Sequence, residues 1–385
     1  MKINFNELAT KGVQGLTPYL PGKPIDELER ELGITDTLKL ASNENSLGPS
    51  KEVQNALANE ISSLHLYPDG SAHKLRHRLA QEHQVEMHQV TLGNGSNDVL
   101  ELIARAFLTD QDSAVFSEYA FAVYPIVVQA IGARANIAKA ISSDNPFMPY
   151  GHDLEKILKA VDDRTKVIFL ANPNNPTGTW IEPSDLYDFL TKVKENIIIV
   201  LDEAYFEYMP ETLKPDSIKW LSEFPNLIVT RTFSKIHALA GLRVGYAVSN
   251  NQIADLLNRV RQPFNVNTMA QVAACAALDD SAHVIQSMII NTQGLKQLMI
   301  GFDELGLSYI PSIGNFISVD MKQDAAPLYD ALLHEGVIVR PVANYGLPNH
   351  LRITVGNQQQ NERVLMALDT VLNQPSTESI HGKSV

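Results

Sequence analysis

The most chemically suggestive side chain in the sequence is the amine of Lys235, in the segment TFSK at residues 232–235. An apolar run at residues 227–229 predicts a strand just before it, and small or apolar residues flank the lysine. Most lysines are solvated surface charges. Desolvation, however, lowers the pKa of an amine, and a neutral amine can form an imine. The pattern therefore favours a lysine suited to imine chemistry.

A carboxylate, Asp202, ends the fully apolar run at residues 197–201. A buried carboxylate needs a cationic or hydrogen-bonding partner, and a protonated ring nitrogen is one such partner. The alternative is a magnesium-binding acid of a nucleotide site, which requires a G-x-x-x-x-G-K-[ST] loop. The nearest match ends at residues 382–384 and has Thr377 in place of the first glycine, so we reject the nucleotide interpretation.

Two polar turns add groups that can bind an anion or a ligand oxygen. The first, GNGSND at residues 93–98, precedes a predicted helix at 99–107, whose free N–H groups can bind a phosphate. An ordinary helix cap made by Ser96 or Asn97 explains this turn equally well. The second, NPNNPTG at residues 172–178, follows the apolar run 167–170 and offers the amide of Asn175, unless it is simply a tight turn.

The elements that must position these groups alternate between apolar runs and amphipathic helical patterns. Such continuous β-branched runs are typical of parallel strands buried on both faces. A helix-rich stretch follows, with strands predicted near 316–320, 337–340 and 351–355. We therefore predict four regions, namely an N-terminal arm (1–45), a large α/β domain (46–265), a smaller α+β domain (266–373) and a polar tail (374–385).

Composition excludes several classes of partner. The chain has 385 residues and a formal net charge of −13 without a basic stripe, which argues against nucleic acid and anionic membranes. No apolar stretch approaches the ~20 residues of a membrane helix, and the single Cys275 suits a reducing compartment. We expect a cytoplasmic protein. His73, His77, His83 and His88 fit a solvated helix face better than a metal site, and no metal is expected.

The order and spacing of these motifs resemble the fold-type-I pyridoxal-phosphate aminotransferases over nearly the whole chain. The series is a Gly-Ser turn, NPNNPTG, an apolar strand with DEAY, and SK followed eight residues after the lysine by Arg243. The resemblance implies an α/β fold in which a large domain holds a mainly parallel seven-stranded sheet between helices. It also implies pyridoxal phosphate as the cofactor, bound to Lys235 as a Schiff base.

The same resemblance assigns roles to other residues. Asp202 matches the partner of the pyridine nitrogen, and Asn175 and Tyr205 match the residues that hydrogen-bond the ring hydroxyl oxygen. Tyr119 matches the aromatic residue that stacks on the ring. Tyr67 matches a tyrosine that reaches the phosphate of the neighbouring subunit, which implies a homodimer with shared active sites. The phosphate contacts map to Gly95, Ser96, Asn97, Ser234 and Arg243.

Within that family, segments 16–24, 40–45 and 339–356 are most similar to the histidinol-phosphate aminotransferases. The similarity implies the substrates histidinol phosphate and glutamate or 2-oxoglutarate. It gives four substrate-binding candidates, which are Tyr19, Asn45, Arg340 and Arg352. A guanidinium fork suits both phosphate and carboxylate.

The sequence departs from the usual family pattern in two places and leaves other activities open. Ser46 stands where proline is usual, and Ile236-His237 replace a small-aromatic pair after the lysine. An aromatic amino-acid aminotransferase or a threonine-phosphate decarboxylase would use the same motifs. A non-catalytic regulator is disfavoured, because such proteins usually carry a DNA-binding module and no basic helix-turn-helix segment is present.

Overall fold

The computed structural model describes residues 3–373. Its N-terminal segment contains four short elements, namely α1 (Phe5–Leu8), α2 (Lys11–Gln14), α3 (Ile25–Leu32) and β1 (Leu38–Lys39). Helix α3 is attached by Leu28, which packs in a small apolar cluster with Leu333 and Ile338. Strand β1 pairs in parallel with residues 337–338. The second half of this segment is thus joined to the C-terminal part of the chain.

A seven-stranded sheet forms the centre of the large domain, and its order is β2-β8-β7-β6-β5-β3-β4. Only β8 runs antiparallel to its neighbours. The predicted mainly parallel α/β architecture is confirmed. The strands are β2 (Val90–Gly93), β3 (Ser113–Ser117), β4 (Arg134–Ala138), β5 (Thr165–Ala171), β6 (Ile198–Asp202), β7 (Leu227–Thr232) and β8 (Gly245–Ser249).

Both faces of this sheet are covered by helices. Alternate residues of one strand enter opposite cores, as with Leu170 on one face and Phe169 on the other. This explains the continuous apolar runs of the sequence. The helices are α4 (Lys51–Glu60), α5 (His73–His83), α6 (Ser96–Phe107), α7 (Val123–Ile131), α8 (Leu154–Lys159), α9 (Pro183–Lys192), α10 (Asn251–Val260) and α11 (Thr268–Leu278).

The packing of helix α11 differs from the predicted division of the chain, which placed residues after 265 in the smaller domain. Its buried alanines, such as Ala270 and Ala274, belong to the same core as Val53 of α4 and Leu75 of α5. Small side chains let the three helices approach closely, so α11 packs with the large domain. The transition to the smaller domain consequently falls after residue 278. Cys275 is one of the buried α11 residues.

The smaller domain contains an antiparallel sheet of order β12-β13-β10-β9. Its strands cover the three regions predicted from the sequence, while the predicted tail (374–385) lies outside the described residues. No helix between residues 3 and 373 is both long and apolar enough to cross a membrane. The elements are α12 (Ser281–Glu304), β9 (Ser308–Ile310), β10 (Phe316–Asp320), α13 (Ala325–His334), β11 (Val337–Ile338), β12 (Arg340–Val342), β13 (Leu347–Thr354) and α14 (Gln358–Asn373).

Candidate active site

The chemically suggestive residues meet in one cavity of about 260 Å³ at the carboxyl edge of the large sheet. Asp202 is the last residue of β6, and Lys235 lies three residues beyond the end of β7. They come together because parallel strands end at the same edge. Most of the predicted site residues line the cavity, namely Tyr19, Ser96, Asn97, Asn175, Asp202, Tyr205, Ser234, Lys235, Arg243, Arg340 and Arg352.

The amine of Lys235 faces this cavity, and its Nζ donates a hydrogen bond to the carbonyl of Ser42 (3.1 Å). Burial, assisted by the nearby positive charges of Arg352 and Arg243, lowers the pKa of the lysine to about 8. The neutral amine is therefore available at mildly alkaline pH, as imine formation requires.

Asp202 is 3% exposed and accepts two hydroxyl hydrogen bonds. Tyr124 donates to Oδ2 (2.9 Å), and Thr230 donates to Oδ1 (3.2 Å). Burial raises the pKa of the carboxyl group, while these hydrogen bonds oppose the rise. The carboxylate forms no salt bridge with any residue between 3 and 373. Its place in the cavity wall suits a cationic ring atom.

The phenol of Tyr205 accepts hydrogen bonds from two side-chain amides. Nδ2 of Asn43 lies 2.9 Å from the hydroxyl oxygen, and Nδ2 of Asn175 lies 3.2 Å from it. Burial raises the pKa of Tyr205 to about 12, so the group remains a neutral phenol. Because both amides donate, the phenol proton can be offered to an oxygen atom in the cavity.

Arg243 and the start of α6 both line the cavity, and together they form an anion cradle. Nη1 of Arg243 donates to Oγ of Ser234 (3.3 Å) and to the carbonyl of Ala240 (3.1 Å). Gly95, with φ of +84°, precedes α6, and a Cβ there would lie 2.4 Å from Nη2 of Arg243. Glycine therefore lets the guanidinium cover the free N–H groups of the helix start, where Ser96 also lines the cavity.

Two further guanidinium groups occupy the small-domain side. Nη2 of Arg352 donates to the carbonyl of Ala41 (2.8 Å), Nη1 donates to Oδ1 of Asn175, and the buried Nε has no partner among the described residues. Arg340 donates to the carbonyl of Leu20 (2.8 Å) and lies 5.4 Å from the ring centroid of Tyr19. Neither arginine forms a salt bridge within residues 3–373. Two buried cations without a carboxylate partner among residues 3–373 are suited to binding a second anion.

Tyr119, which was predicted to stack on the cofactor ring, is not among the residues that line the cavity. Its ring packs edge-on against Tyr150, with centroids 5.3 Å apart. The carbonyl of Tyr119 accepts a hydrogen bond from Asn174 (2.8 Å), which holds this stretch in place beside the cavity. Phe121 instead lines the cavity. Both aromatic residues follow β3. Their spacing alone does not indicate which of the two faces inward.

Asn45 also lies outside the cavity, so its predicted substrate contact is not observed. Its Nδ2 donates to the carbonyl of Ile236 and to Oγ of Ser287, both at 2.8 Å. Asn45 thereby links the N-terminal segment to the lysine loop and to α12. Asn43, two residues earlier, has a left-handed φ of +56° and takes the cavity position.

Tyr67 and His237 lie away from the cavity as well. The side chain of Tyr67 is 84% exposed and stacks on Phe264, with ring centroids 5.0 Å apart. His237 packs against Phe233, and burial lowers its pKa to about 4, so the imidazole is neutral near pH 7. No three metal-ligating side chains cluster within residues 3–373.

With this geometry established, similarity to known proteins identifies the family. The model of the family described as aminotransferase class I and II matches residues 35–368. The chain belongs to this family. Two relatives of this aminotransferase are named histidinol-phosphate aminotransferase 2. The one from Pseudomonas fluorescens is 55% identical, with 97% of this chain and 99% of the relative covered. The one from Pseudomonas aeruginosa is 54% identical, with 96% and 99% covered.

Solved structures agree with this membership. The histidinol-phosphate aminotransferase of Sinorhizobium meliloti, solved with pyridoxal-5'-phosphate, has a TM-score of 0.85 to this aminotransferase at 27% identity, covering 94% of this chain and 97% of that one. An aspartate aminotransferase from Thermus thermophilus has a TM-score of 0.81 at 20% identity, which is evidence for the fold alone. The family predicted from the motif order is confirmed.

The residues of this aminotransferase fit pyridoxal phosphate. The cradle at Arg243 offers cationic and N–H donors for its phosphate, and Asp202 offers a negative charge for its ring nitrogen. Tyr205 and Asn175 also line the cavity and can donate to a ring oxygen. Lys235 supplies the amine that an aldehyde needs. Arg243, Asp202 and Lys235 thus each have a counterpart in the cofactor.

Proposed function

We propose that this protein transfers the amino group of L-histidinol phosphate to 2-oxoglutarate, forming imidazole acetol phosphate and L-glutamate in histidine biosynthesis. One observation carries the proposal. A single cavity is lined by Arg243 from the large domain, by Arg340 and Arg352 from strands β12 and β13 of the smaller domain, and by the amine of Lys235. Two anion sites in one cavity suit a phosphorylated cofactor and a phosphorylated substrate. The names of the two Pseudomonas relatives support the same substrate.

The chemistry depends on pyridoxal phosphate, which when bound supplies an aldehyde for amines and a ring that takes up electrons. Lys235 is the residue that would hold the cofactor through its aldehyde, and its amine would be free once a substrate amine takes that place. Its free Nζ, with a pKa of about 8, then takes the proton from the substrate α carbon. The same Nζ later returns this proton. Burial of the amine keeps bulk water from competing for it.

The residues around Lys235 would stabilise the charges of the bound cofactor and fix the orientation of its ring. Asp202 would hold a negative charge next to the ring nitrogen of the bound cofactor, which would stabilise that nitrogen in its protonated form. Tyr205 and Asn175 fix the ring oxygen, and Phe121 takes the ring contact that was predicted for Tyr119. Arg243, Ser234 and the start of α6 bind the cofactor phosphate, with each charged hydrogen bond contributing roughly 1.5–3 kcal/mol.

Substrate recognition rests on the second anion site. Arg352 binds the phosphate of histidinol phosphate, and in the second half-reaction it binds a carboxylate of 2-oxoglutarate. Arg340 and Tyr19 complete the phosphate site, because the Tyr19 ring covers the Arg340 guanidinium. One fork of donors can serve both anions, since phosphate and carboxylate accept bidentate hydrogen bonds.

The proposal includes a cytoplasmic homodimer in which Tyr67 reaches the cofactor phosphate of the neighbouring subunit. Exposed apolar side chains close to Tyr67 in the sequence or in contact with it support this assembly, namely Ile61, Leu64, Leu66 and Phe264. Co-expression of Lys235→Ala and Tyr67→Ala chains tests it. Shared sites predict that the hybrid regains activity, because one of its two sites combines an intact lysine with an intact tyrosine. Activity no higher than the sum of the two separate variants would oppose sharing.

The activity itself is tested by following the cofactor absorbance after adding histidinol phosphate. Conversion to the amine form is expected in the parent and essentially none in Lys235→Ala. Comparing kcat/KM for histidinol phosphate and phenylalanine separates the aromatic aminotransferase alternative. Carbon dioxide release from threonine phosphate without a keto acid would instead select the decarboxylase.

A further inference from the structure

Tyr124, at the start of α7, belongs to none of the motifs that predicted the site. It is 1% exposed, and its hydroxyl donates to Oδ2 of Asp202 at 2.9 Å. The ring is held by Phe169, stacked with centroids 4.9 Å apart, and by Phe121, edge-on at 5.8 Å. The hydroxyl therefore has a fixed direction, toward the carboxylate.

The donors to Asp202 are neutral. Tyr124 and Thr230 each donate one hydroxyl, to opposite carboxylate oxygens. Burial and the charge of Asp202 raise the pKa of Tyr124 well above the usual value, so its hydroxyl stays protonated and remains a donor. Hydrogen bonds of this kind favour the ionised carboxylate, whereas burial alone favours the neutral acid. Neutral donors stabilise the negative charge without cancelling it.

We propose that Tyr124, together with Thr230, is a positioning residue that keeps Asp202 ionised and directed into the cavity, ready for a protonated aromatic nitrogen. This deepens the proposed function and rests on it. The contact of Tyr124 is with Asp202 and not with the cavity, since Tyr124 is absent from the cavity wall. The effect of its hydroxyl on the cofactor is therefore expected to act through Asp202 and the ring nitrogen, whereas its ring can act only through packing against Phe121.

That route can be isolated with two probes, pyridoxal phosphate and its 1-deaza analogue, in which a C–H group replaces the ring nitrogen. The affinity of each for the cofactor-free protein is measured in the parent and in Tyr124→Phe, which removes only the hydroxyl. We expect Tyr124→Phe to bind pyridoxal phosphate roughly 10- to 100-fold more weakly, the loss of one charge-assisted hydrogen bond. Binding of the deaza analogue is expected to stay within about twofold of the parent.

Tyr246→Phe is the matched control, because Tyr246 is also buried but hydrogen-bonds His83 (2.8 Å) outside the cavity. It should change neither affinity. If Tyr124→Phe binds both probes more weakly by the same factor, Tyr124 has only a packing role and the proposal is overturned. Unchanged affinity for both probes would also overturn it. If Tyr124→Phe does not fold, Thr230→Val decides, with the same selective loss expected. If the parent transaminates and Tyr124→Phe binds pyridoxal phosphate as tightly as the parent, only the inference about Tyr124 is overturned. If the parent binds no pyridoxal phosphate, the proposed function is overturned as well.

Discussion

Arg340 of β12 and Arg352 of β13 are direct cross-strand partners in the small-domain sheet. Both are buried, at 8% and 5% exposure, and they have the same charge. Like charges in such a pair repel each other, so an anion between them relieves the repulsion. The pair is therefore better suited to binding substrate than to stabilising the fold.

Replacing either arginine should affect substrate binding in a distinct way. Arg352→Gln is expected to lower kcat/KM roughly 10- to 100-fold in both half-reactions, because it serves phosphate and carboxylate. Arg340→Gln should lower kcat/KM mainly for histidinol phosphate. Arg363→Gln, which removes a surface pair with Asp36, is the control and should leave both half-reactions near parent values. Equal losses in both half-reactions for Arg340→Gln would contradict the division of roles.

The pH dependence of cofactor attachment should report on Lys235. Its amine has a pKa lowered to about 8 from 10.5, so it is protonated and unreactive below that pH and nucleophilic above it. The rate at which the cofactor-free protein attaches pyridoxal phosphate should rise with pH and reach half its plateau near pH 8. Stopped-flow absorbance measures this rate. A midpoint near 10.5, as for an ordinary lysine, would refute the low pKa.

Gly95 offers a test of the phosphate cradle. Gly95→Ala introduces a Cβ that meets Nη2 of Arg243 at 2.4 Å, in addition to the strain of φ +84°. Gly306→Ala is a matched control, because Gly306 also has a positive φ of +66° but nothing lies within 4 Å of its Cβ. Backbone strain should destabilise the Gly306 variant by about 1 kcal/mol. It should destabilise the Gly95 variant by about 1–3 kcal/mol, because φ of +84° with ψ of 164° is a conformation almost restricted to glycine. Only Gly95→Ala should also weaken the binding of pyridoxal phosphate, measured by equilibrium titration.

Two asparagines of the N-terminal segment should behave differently when changed to alanine. Asn45→Ala loses the hydrogen bonds to Ile236 and Ser287, so we expect a lower free energy of unfolding, by about 1–3 kcal/mol. Asn43→Ala removes a donor to Tyr205 and should also weaken cofactor binding. Denaturant melts and cofactor titration separate the two effects. A raised KM with unchanged stability in Asn45→Ala would restore the substrate contact predicted from the sequence.

Phe121 and Tyr119 can be compared in the same way. Phe121→Leu should weaken pyridoxal phosphate binding, because this side chain lines the cavity. Tyr119→Leu should mainly affect packing against Tyr150. Titrating both variants with the cofactor gives the answer, and a larger loss in the Tyr119 variant would favour the original stacking prediction.

Sequence patterns predicted best those residues whose position follows from strand geometry. Asp202, Asn175 and Lys235 follow the ends of parallel strands, so their convergence was predictable from apolar runs alone. Phe121, Asn43 and Tyr124 were missed, because their orientation depends on turns beyond a strand. The left-handed backbone at Asn43 illustrates this, since nothing in SNEN indicates which asparagine turns inward.

The predicted domain boundary at residue 265 differs from the observed packing for a related reason. Alanine-rich α11 has little amphipathic character, so its sequence does not reveal which neighbours it covers. Only the packing against α4 and α5 assigns it to the large domain. The motifs therefore predict the chemistry of the site better than the sequence predicts the boundary between the two domains.

The hydrogen bond from Arg352 to the carbonyl of Ala41 joins residues 311 positions apart in the chain. Such a contact can form only after nearly the entire polypeptide has left the ribosome. The large sheet is complete much earlier, at residue 249. A nascent chain that ended between α11 and β12 would contain every strand and helix of the large domain, Lys235 included, but neither Arg340 nor Arg352. The residues proposed to recognise the substrate are thus among the last of this cavity to be synthesised.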